Sequence, residues 1–217
     1  SLVVSQDDIL RFWGYTSDRM KRINQRMGIK THRFWANPIG KSVQQLTEDY
    51  IEGALKLSCE SILKCLDGRP LDRVGALIYA STTEQLQVCP GMGFRLSAEL
   101  GMPISTKLVD IIGMGCQGAM PALETGFAYL QLHRRPVLIV STEICFATWF
   151  PAPEEDLGNS IANILFTDAS SAALLEYSDN PQHPEILDFA SGYSAEGMDL
   201  LGYTYQDDRL KVVLSRE

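Results

Sequence analysis

One cysteine of the sequence stands where a thiol can act as a nucleophile. Cys116 follows a short apolar segment and two glycines, Gly113 and Gly115, and a helical pattern begins directly after it. A thiolate in the first turn of a helix is stabilised by the positive end of the helix dipole, which favours nucleophilic attack. The free amides of that turn can hold the oxyanion that forms on an acyl group bonded to the sulfur. The same spacing is equally compatible with a small buried residue at a tight contact between helix and strand.

The other cysteines are interpreted as core or incidental surface residues. The chain has five cysteines, an odd number without paired Cys-x-x-Cys spacing, which indicates neither a disulfide framework nor a zinc site. We therefore expect no bound metal and mostly reduced thiols. The four residues concerned are Cys59, Cys65, Cys89 and Cys145.

Three arginines form a candidate anion site. Arg19, Arg22 and Arg26 are spaced by three and four residues and so share one face of a predicted helix. The net charge of −8 and the sequence pI near 4.9 argue against nonspecific binding to nucleic acid or anionic lipid. Guanidinium groups match the geometry of phosphate and carboxylate oxygens. The alternative is a solvated basic face.

Alternating helices and strands supply the framework that must position these residues. Periodic apolar residues predict helices, and near-continuous apolar runs predict strands buried on both faces. The alternation predicts an α/β fold with a mostly parallel sheet. Helices are predicted over residues 7–26, 41–66, 90–100, 117–132 and 157–165, and strands over 74–80, 108–112, 137–140, 172–175, 186–189 and 210–214.

The size and composition of the chain are those of a globular protein. It has 217 residues, of which 45% are hydrophobic and 21% are charged, enough to bury a substantial core. No apolar run approaches the ~20 residues of a membrane span, and the N-terminal residues lack the features of a secretory signal. We therefore expect no membrane segment and a cytoplasmic location.

Six segments resemble, in order and spacing, those of the thiolase-fold condensing enzymes. The segment IGMGCQGA at residues 112–119 is similar to the nucleophile turn of the chalcone/stilbene synthase-like type III polyketide synthases and of ketoacyl-ACP synthase III. Single segments are weak evidence, but six in order over nearly the whole chain are specific. The other five are RMGIKTHR (26–33), YASTT (79–83), VSTEIC (140–145), LFTDA (165–169) and LGY with LKVVLS (201–203 and 210–215).

The resemblance implies a fold and a domain organisation. The fold is a thiolase-like three-layer α/β/α arrangement with a mixed, mostly parallel five-stranded sheet, from which the first strand is missing. Residues 1–178 are expected to be the N-terminal thiolase-like half, and residues 184–217 the truncated start of the second half, so that both chain ends cut the fold. Thr167 and Ala169 replace two glycines of the family pattern, and only glycine adopts a positive φ without cost.

The resemblance also implies a decarboxylative Claisen condensation in polyketide or fatty-acid biosynthesis. Cys116 accepts an acyl group, a malonyl thioester of CoA or acyl carrier protein loses CO2, and the resulting carbanion attacks the acyl-enzyme. Phe166 then offers an apolar face that favours loss of the malonyl carboxylate, Thr148 lines the substrate pocket, and the three arginines receive the CoA phosphates. The alternative for Phe166 is core packing, and the alternative for Thr148 is an ordinary surface or core threonine.

The family pairs its cysteine with a histidine and an asparagine from the second half of the fold. His32, His133 and His183 lie in no matching motif and are interpreted as exposed or capping residues. We therefore expect acyl transfer to Cys116 at most, and no condensation by this chain alone. We expect no cofactor beyond the thioester substrates, and a homodimer of the complete protein built on an edge strand at 108–112. The alternative function is a noncatalytic thiolase-fold partner or an acyl-CoA-binding subunit.

Overall fold

The computed structural model describes residues 2–83, 89–197, 199–207 and 209–215. In chain order, the elements are β1 (Leu2–Ser5), α1 (Gln6–Trp13), α2 (Asp18–Met27), β2 (Thr31–Phe34), α3 (Val43–Leu66), β3 (Ala76–Ala80), α4 (Met92–Glu99), β4 (Lys107–Ile111), α5 (Ala119–His133), β5 (Val137–Glu143), α6 (Leu157–Leu165), β6 (Ala169–Leu175), β7 (Leu201–Gln206) and β8 (Arg209–Leu214).

The chain forms two compact units, each assembled from separated stretches of sequence. The first unit consists of Ser1–Tyr50, Ile144–Ala169 and Ser194–Glu217, and the second of Ile51–Glu143 and Ser170–Tyr193. Among the described residues, none of the helices combines the length and the apolar character that a membrane crossing requires.

The N-terminal segment of the first unit forms two short helices, α1 and α2, where the sequence predicts one helix over residues 7–26. The break falls at Gly14, whose φ of 79° lies in the left-handed region that glycine occupies at low cost. Ser17 then caps α2 by accepting a hydrogen bond from the amide of Met20 at 3.2 Å. The helical periodicity continues across the break, but the capping residues end one helix and begin the next.

A four-stranded sheet of order β4-β3-β5-β6 forms the core of the second unit. Strand β3 pairs in parallel with β4 and β5, so that Ala76 stands opposite both Lys107 and Val137. All five residues of β3 are buried, as its near-continuous apolar run predicts. Because the three strands share this register, their C-terminal ends lie at the same edge of the sheet.

Buried hydroxyl groups join helix α3 to strands β5 and β6 in the second unit. The Ser58 hydroxyl lies 2.7 Å from that of Thr142, which lies 2.7 Å from that of Ser170. Ser170 in turn lies 2.8 Å from the hydroxyl of Ser61. Since buried hydroxyls require partners, this chain of oxygens favours one position of the helix on the two strands.

The α/β class and the thiolase-like fold are confirmed. Four strands are described in the large sheet, in agreement with a five-stranded sheet that lacks its first strand. The strand predicted over 186–189 is wrong, because these residues form no strand. Strands β1, β2 and β7 escaped prediction because each is short and is stabilised only by pairing within a two-stranded sheet. The predicted domain boundary between 178 and 184 stays a prediction.

Candidate active site

Cys116 lies on a tight turn between strand β4 and helix α5. Gly113 and Gly115 adopt φ values of 77° and 59°, so both glycines of the motif supply backbone conformations that other residues rarely adopt. Cys116 itself sits in a short 3-10 turn, Gly115–Gln117, and its side chain is exposed. The expectation that it occupies the first turn of the following helix is therefore wrong by about one turn, since α5 begins at Ala119.

The end of β3 lies at the same edge of the sheet as the Cys116 turn. The amide of Ser81, directly after β3, donates to the carbonyl of Ile111 at the end of β4 at 3.2 Å. A Cβ atom placed on Gly118, just beyond the turn, would lie 3.8 Å from the Cβ of Ala80. The turn that carries the cysteine thus packs beside the end of the buried central strand. In open α/β folds this edge is where ligands bind.

Glu143, the last residue of β5, holds the segment that follows β3. Its carboxylate accepts hydrogen bonds from the amides of Thr82 at 2.7 Å and Thr83 at 3.1 Å. Burial raises the pKa of Glu143, and these hydrogen bonds oppose the shift. Glu143 belongs to the VSTEIC motif at residues 140–145, and that motif does not by itself indicate this role. A carboxylate that ends a buried apolar strand is the signal that could have revealed it.

Phe166 and Thr148 border one cavity in the first unit. The cavity has a volume of about 20 Å³, roughly the space of one water molecule. Thr148 is buried, and its hydroxyl donates to the carbonyl of Cys145 at 2.9 Å. Cys145 also lines the cavity, although the sequence analysis interpreted it as a core or incidental residue. The lining residues are Trp13, Phe34, Cys145, Phe146, Thr148, Trp149, Asn159, Ala162, Asn163, Phe166 and Val212.

Asp168 fixes the backbone around Phe166. Its carboxylate accepts hydrogen bonds from the amides of Trp35 at 2.6 Å and Phe146 at 3.1 Å. Burial raises the pKa of Asp168 to about 6, against the opposing effect of these amides. The neighbouring Thr167 uses its hydroxyl to accept from the amide of Arg33 at 2.6 Å and to donate to the Arg33 carbonyl at 2.7 Å. Neither Thr167 nor Ala169 has a positive φ, so the loss of the two family glycines carries no backbone strain here.

Arg19, Arg22 and Arg26 all lie on α2, and all three are exposed. Within the described ranges, none of the three forms an ion pair with an acidic side chain. Their guanidinium groups are therefore open to an anion from solvent, as the helical spacing predicts.

One of the three histidines, His32, lies in a different environment from the one predicted from the sequence. His32 is fully buried on β2 and stacks on Phe34 with ring centroids 6.2 Å apart, so its interpretation as an exposed or capping residue is wrong. His133 is exposed at the C-terminal end of α5, about 20 Å along the helix from the end near Cys116. His183 is exposed, and its ring contacts Ser178 and Asn180 at 2.9 and 3.0 Å.

Comparison with known proteins assigns the chain to a family. The family described as chalcone and stilbene synthases, N-terminal domain, matches residues 26–179. The chain therefore belongs to the chalcone and stilbene synthase family, through its N-terminal domain, and the family prediction is confirmed. The relatives named below are a chalcone synthase and polyketide synthases, which support the type III polyketide synthase resemblance rather than ketoacyl-ACP synthase III.

Individual relatives are similar over most of this chain but only part of their own length. A putative chalcone synthase of Bacillus subtilis (strain 168) is 29% identical over 211 residues, covering 90% of this chain and 56% of the relative. The alpha-pyrone synthesis polyketide synthase-like Pks18 of Mycobacterium tuberculosis (strain ATCC 25618 / H37Rv) is 26% identical over 171 residues. The match covers 73% of this chain and 42% of the length of Pks18. The chain thus spans about half the length of the curated relatives it matches.

A solved structure shows the same fold. The 1,3,6,8-tetrahydroxynaphthalene synthase of Streptomyces coelicolor A3(2), a bacterial type III polyketide synthase, superposes with a TM-score of 0.88. The match has 18% sequence identity and covers 100% of this chain and 65% of that chain.

Proposed function

We propose that this chain is the cysteine-bearing part of an acyltransferase that condenses an acyl thioester with malonyl-CoA. The observation that carries the proposal is the exposed Cys116 on its glycine turn at the C-terminal edge of the parallel sheet, in a chain of the chalcone and stilbene synthase family. The turn presents the thiol to solvent, while the neighbouring strand β3 is buried over its whole length.

The reaction divides into two steps. In the first, the thiolate of Cys116 attacks the carbonyl carbon of an acyl-CoA, the carbon–sulfur bond to CoA breaks, and CoA leaves as its thiolate. In the second, malonyl-CoA loses CO2, and the electron pair of the broken carbon–carbon bond attacks the acyl group. The cysteine leaves as a thiolate, and a β-ketoacyl-CoA is the product.

Other residues of the chain take supporting roles in this proposal. The three arginines of α2 bind the CoA phosphates, because they are exposed, share a helical face and are free of acidic partners within the described ranges. Phe166 supplies an apolar face that favours loss of the malonyl carboxylate as CO2, and Thr148 lines the substrate pocket. CoA rather than acyl carrier protein is the proposed carrier.

The proposal limits this chain to the first step. Decarboxylation and carbon–carbon bond formation need hydrogen-bond donors that stabilise the thioester enolate. The resemblance assigns these donors to a histidine and an asparagine from the second half of the fold, and none of the histidines of this chain lies in a matching motif. When some members of a group of catalytic residues that act together are missing, the rate of the full reaction falls by orders of magnitude, but individual steps can still occur.

The test is acyl transfer to the 217-residue chain. We expect an acyl-CoA to add one acyl mass to Cys116, located by peptide mapping, and Cys116→Ala to abolish the adduct. Burial raises the pKa of the Cys59 and Cys65 thiols, so these should react slowly. Cys89 is exposed like Cys116, which makes Cys89→Ala the matched control, expected to leave acylation unchanged. Equal labelling of all five cysteines would contradict a catalytic role.

A noncatalytic thiolase-fold partner, or a subunit that only binds acyl-CoA, is the second candidate. This candidate is favoured by the histidines, none of which lies in a motif of the family. Acylation of Cys116 separates the two candidates, because a subunit that only binds acyl-CoA forms no covalent adduct. Release of radiolabelled CO2 from malonyl-CoA tests whether this chain is limited to the first step. We expect none from the chain alone, whereas release that depends on Cys116 would show that a complete catalytic set lies within these residues.

A further inference from the structure

A carboxylate from a distant part of the chain holds the start of helix α2. Glu154 lies between Thr148 and α6, in the same unit as α2. Its carboxylate accepts hydrogen bonds from the backbone amide of Thr16 and, at 3.1 Å, from that of Ser17. Ser17 is the N-cap residue of α2, and amides at this end of a helix lack acceptors within the helix. The Ser17 side chain and the two amides lower the pKa of Glu154, so the carboxylate is ionised at neutral pH.

Different contacts hold the residues before and after this point. The Tyr15 hydroxyl accepts a hydrogen bond from the side-chain amide of Asn163 on α6 at 2.8 Å, which fixes the chain before the helix. Near the C-terminal end of α2, the Asn24 side chain donates to the carbonyl of Gln6 at 2.8 Å. Of these contacts, only the one from Glu154 acts on the amides that enter the first turn.

The carboxylate binds the backbone and leaves the arginines of α2 without an acidic partner, as far as the described ranges extend. Arg19 stands in the first turn of the helix and Arg26 in the last. Asp18, the acidic residue of the first turn, pairs instead with Lys21 at 3.2 Å. Glu154 thus stabilises the start of the helix through its amides and its dipole, while the guanidinium groups stay open.

We propose that Glu154 is a positioning residue for CoA, because it holds the first turn of α2 in the place where Arg19 contacts a CoA phosphate. The inference rests on the proposed function, which assigns the CoA phosphates to the arginines of this helix. A guanidinium group binds phosphate through hydrogen bonds of fixed geometry, so its turn must be held in place. Arg26 depends less on this contact, because the end of α2 where it stands is held through Asn24.

The experiment measures the binding of free CoA to the 217-residue chain by isothermal titration calorimetry. Glu154→Ala removes the acceptor of the two amides, and we expect it to weaken CoA binding about fivefold, the usual effect of losing a contact at the start of a helix. Glu155→Ala is the matched control. Glu155 is the next residue, carries the same charge and is exposed, so its removal should not weaken the binding of an anion.

Double substitutions show whether Glu154 acts through Arg19. We expect Glu154→Ala to weaken CoA binding little in a chain that already carries Arg19→Ala, because the position of an absent guanidinium has no effect. In a chain that carries Arg26→Ala, the full effect of Glu154→Ala should persist. A general loss of structure would weaken binding equally in both chains, so the comparison distinguishes positioning from stability.

Glu154→Gln is the second variant if Glu154→Ala does not fold. It keeps one acceptor oxygen but loses the charge, and we expect the same dependence on Arg19 with a smaller factor. An effect no larger than that of Glu155→Ala, or equal effects in the two arginine variants, overturns the role of Glu154 and leaves the proposed function standing. Absence of CoA binding by the unsubstituted chain overturns the CoA site of the proposed function and, with it, this inference.

Discussion

At the residue scale, two buried titratable groups of the first unit respond to pH in opposite directions. Asp168 accepts hydrogen bonds from the amides of Trp35 and Phe146, and burial raises its pKa from 3.8 to about 6. His32 is buried on β2, and desolvation lowers its pKa, with the backbone of Phe166 offsetting part of the shift. Because both groups lie near the segment that carries Phe166, stability there depends on both protonation states.

Asp168→Asn is expected to change the pH dependence of stability. The folded protein binds a proton at Asp168 more tightly than the unfolded chain does, so the stabilisation from this group is complete below pH 3.8 and is lost as the pH rises through about 6. Relative to the variant, the wild type should gain up to about 3 kcal/mol of unfolding free energy when the pH falls from 7 to 4. Urea denaturation of both proteins across this range is the measurement, and parallel curves would contradict the prediction.

His32→Phe should show the opposite sign. The lowered pKa means that the unfolded chain takes up a proton below pH 6.5 that the folded chain resists. The wild type should therefore lose stability relative to the variant as the pH falls from 7 to 5. The substitution keeps an aromatic ring to stack on Phe34. Thermal unfolding at several pH values tests it, and a difference between the two proteins that is independent of pH would count against it.

At the element scale, the turn between β4 and α5 determines where the nucleophile stands. Parallel pairing with β3 fixes the end of β4, and the two left-handed glycines then reverse the chain within a few residues. The thiol is exposed because the turn projects beyond the sheet, while α5 packs against the strands behind it through Ala122 and Leu130.

Gly115→Ala tests this turn. A Cβ at Gly115 would meet no atom within 4 Å, so the cost comes from its φ of 59° rather than from a clash. That cost is about 1 kcal/mol, which should lower the population of the native turn and slow acylation of Cys116 by about fivefold. Gly192→Ala is the matched control, since it also has open space but no positive φ. The rate of acyl adduct formation by mass spectrometry is the measurement, and equal rates in the two variants would refute the role of the turn.

At the scale of the whole molecule, β4 is an edge strand of the large sheet, as far as the described residues show the sheet. An exposed strand edge invites pairing with another chain. We predict that β4 pairs with β4 of a second copy across a two-fold axis. Ile112, directly after this strand, is 39% exposed, and Leu187 elsewhere in the same unit is 84% exposed.

Sedimentation of the complete protein at micromolar concentration tests the dimer. Ile112→Asp places a charge beside the edge strand and should shift the protein towards monomer, because a buried unpaired charge opposes association. Leu187→Asp changes an exposed apolar residue away from that strand and should leave the dimer intact. A wild-type monomer, or dissociation by both substitutions, would contradict pairing through β4.

Local patterns were enough to predict the framework of this protein. The apolar run of β3 and the periodicity of α3 are set by neighbours in sequence, and the glycine spacing around Cys116 marks the nucleophile turn without any knowledge of distant residues. The basic face of α2 follows from the same helical geometry. The resemblance added the family, whose motifs are likewise short and local.

Contacts between segments that are distant in sequence could be identified only from the tertiary structure. Glu143 binds amides 61 and 60 residues away, Asp168 binds one 133 residues away, and Trp13 stacks on Trp149. Nothing in the local sequence of these residues states which backbone amide or ring they will meet, nor that His32 is buried. The sequence alone determined helix α3, strand β3 and the nucleophile turn, because these depend on the spacing of nearby residues. Only folding decided which polar groups are buried and which amides they bind, because burial depends on residues brought together from far apart in the chain.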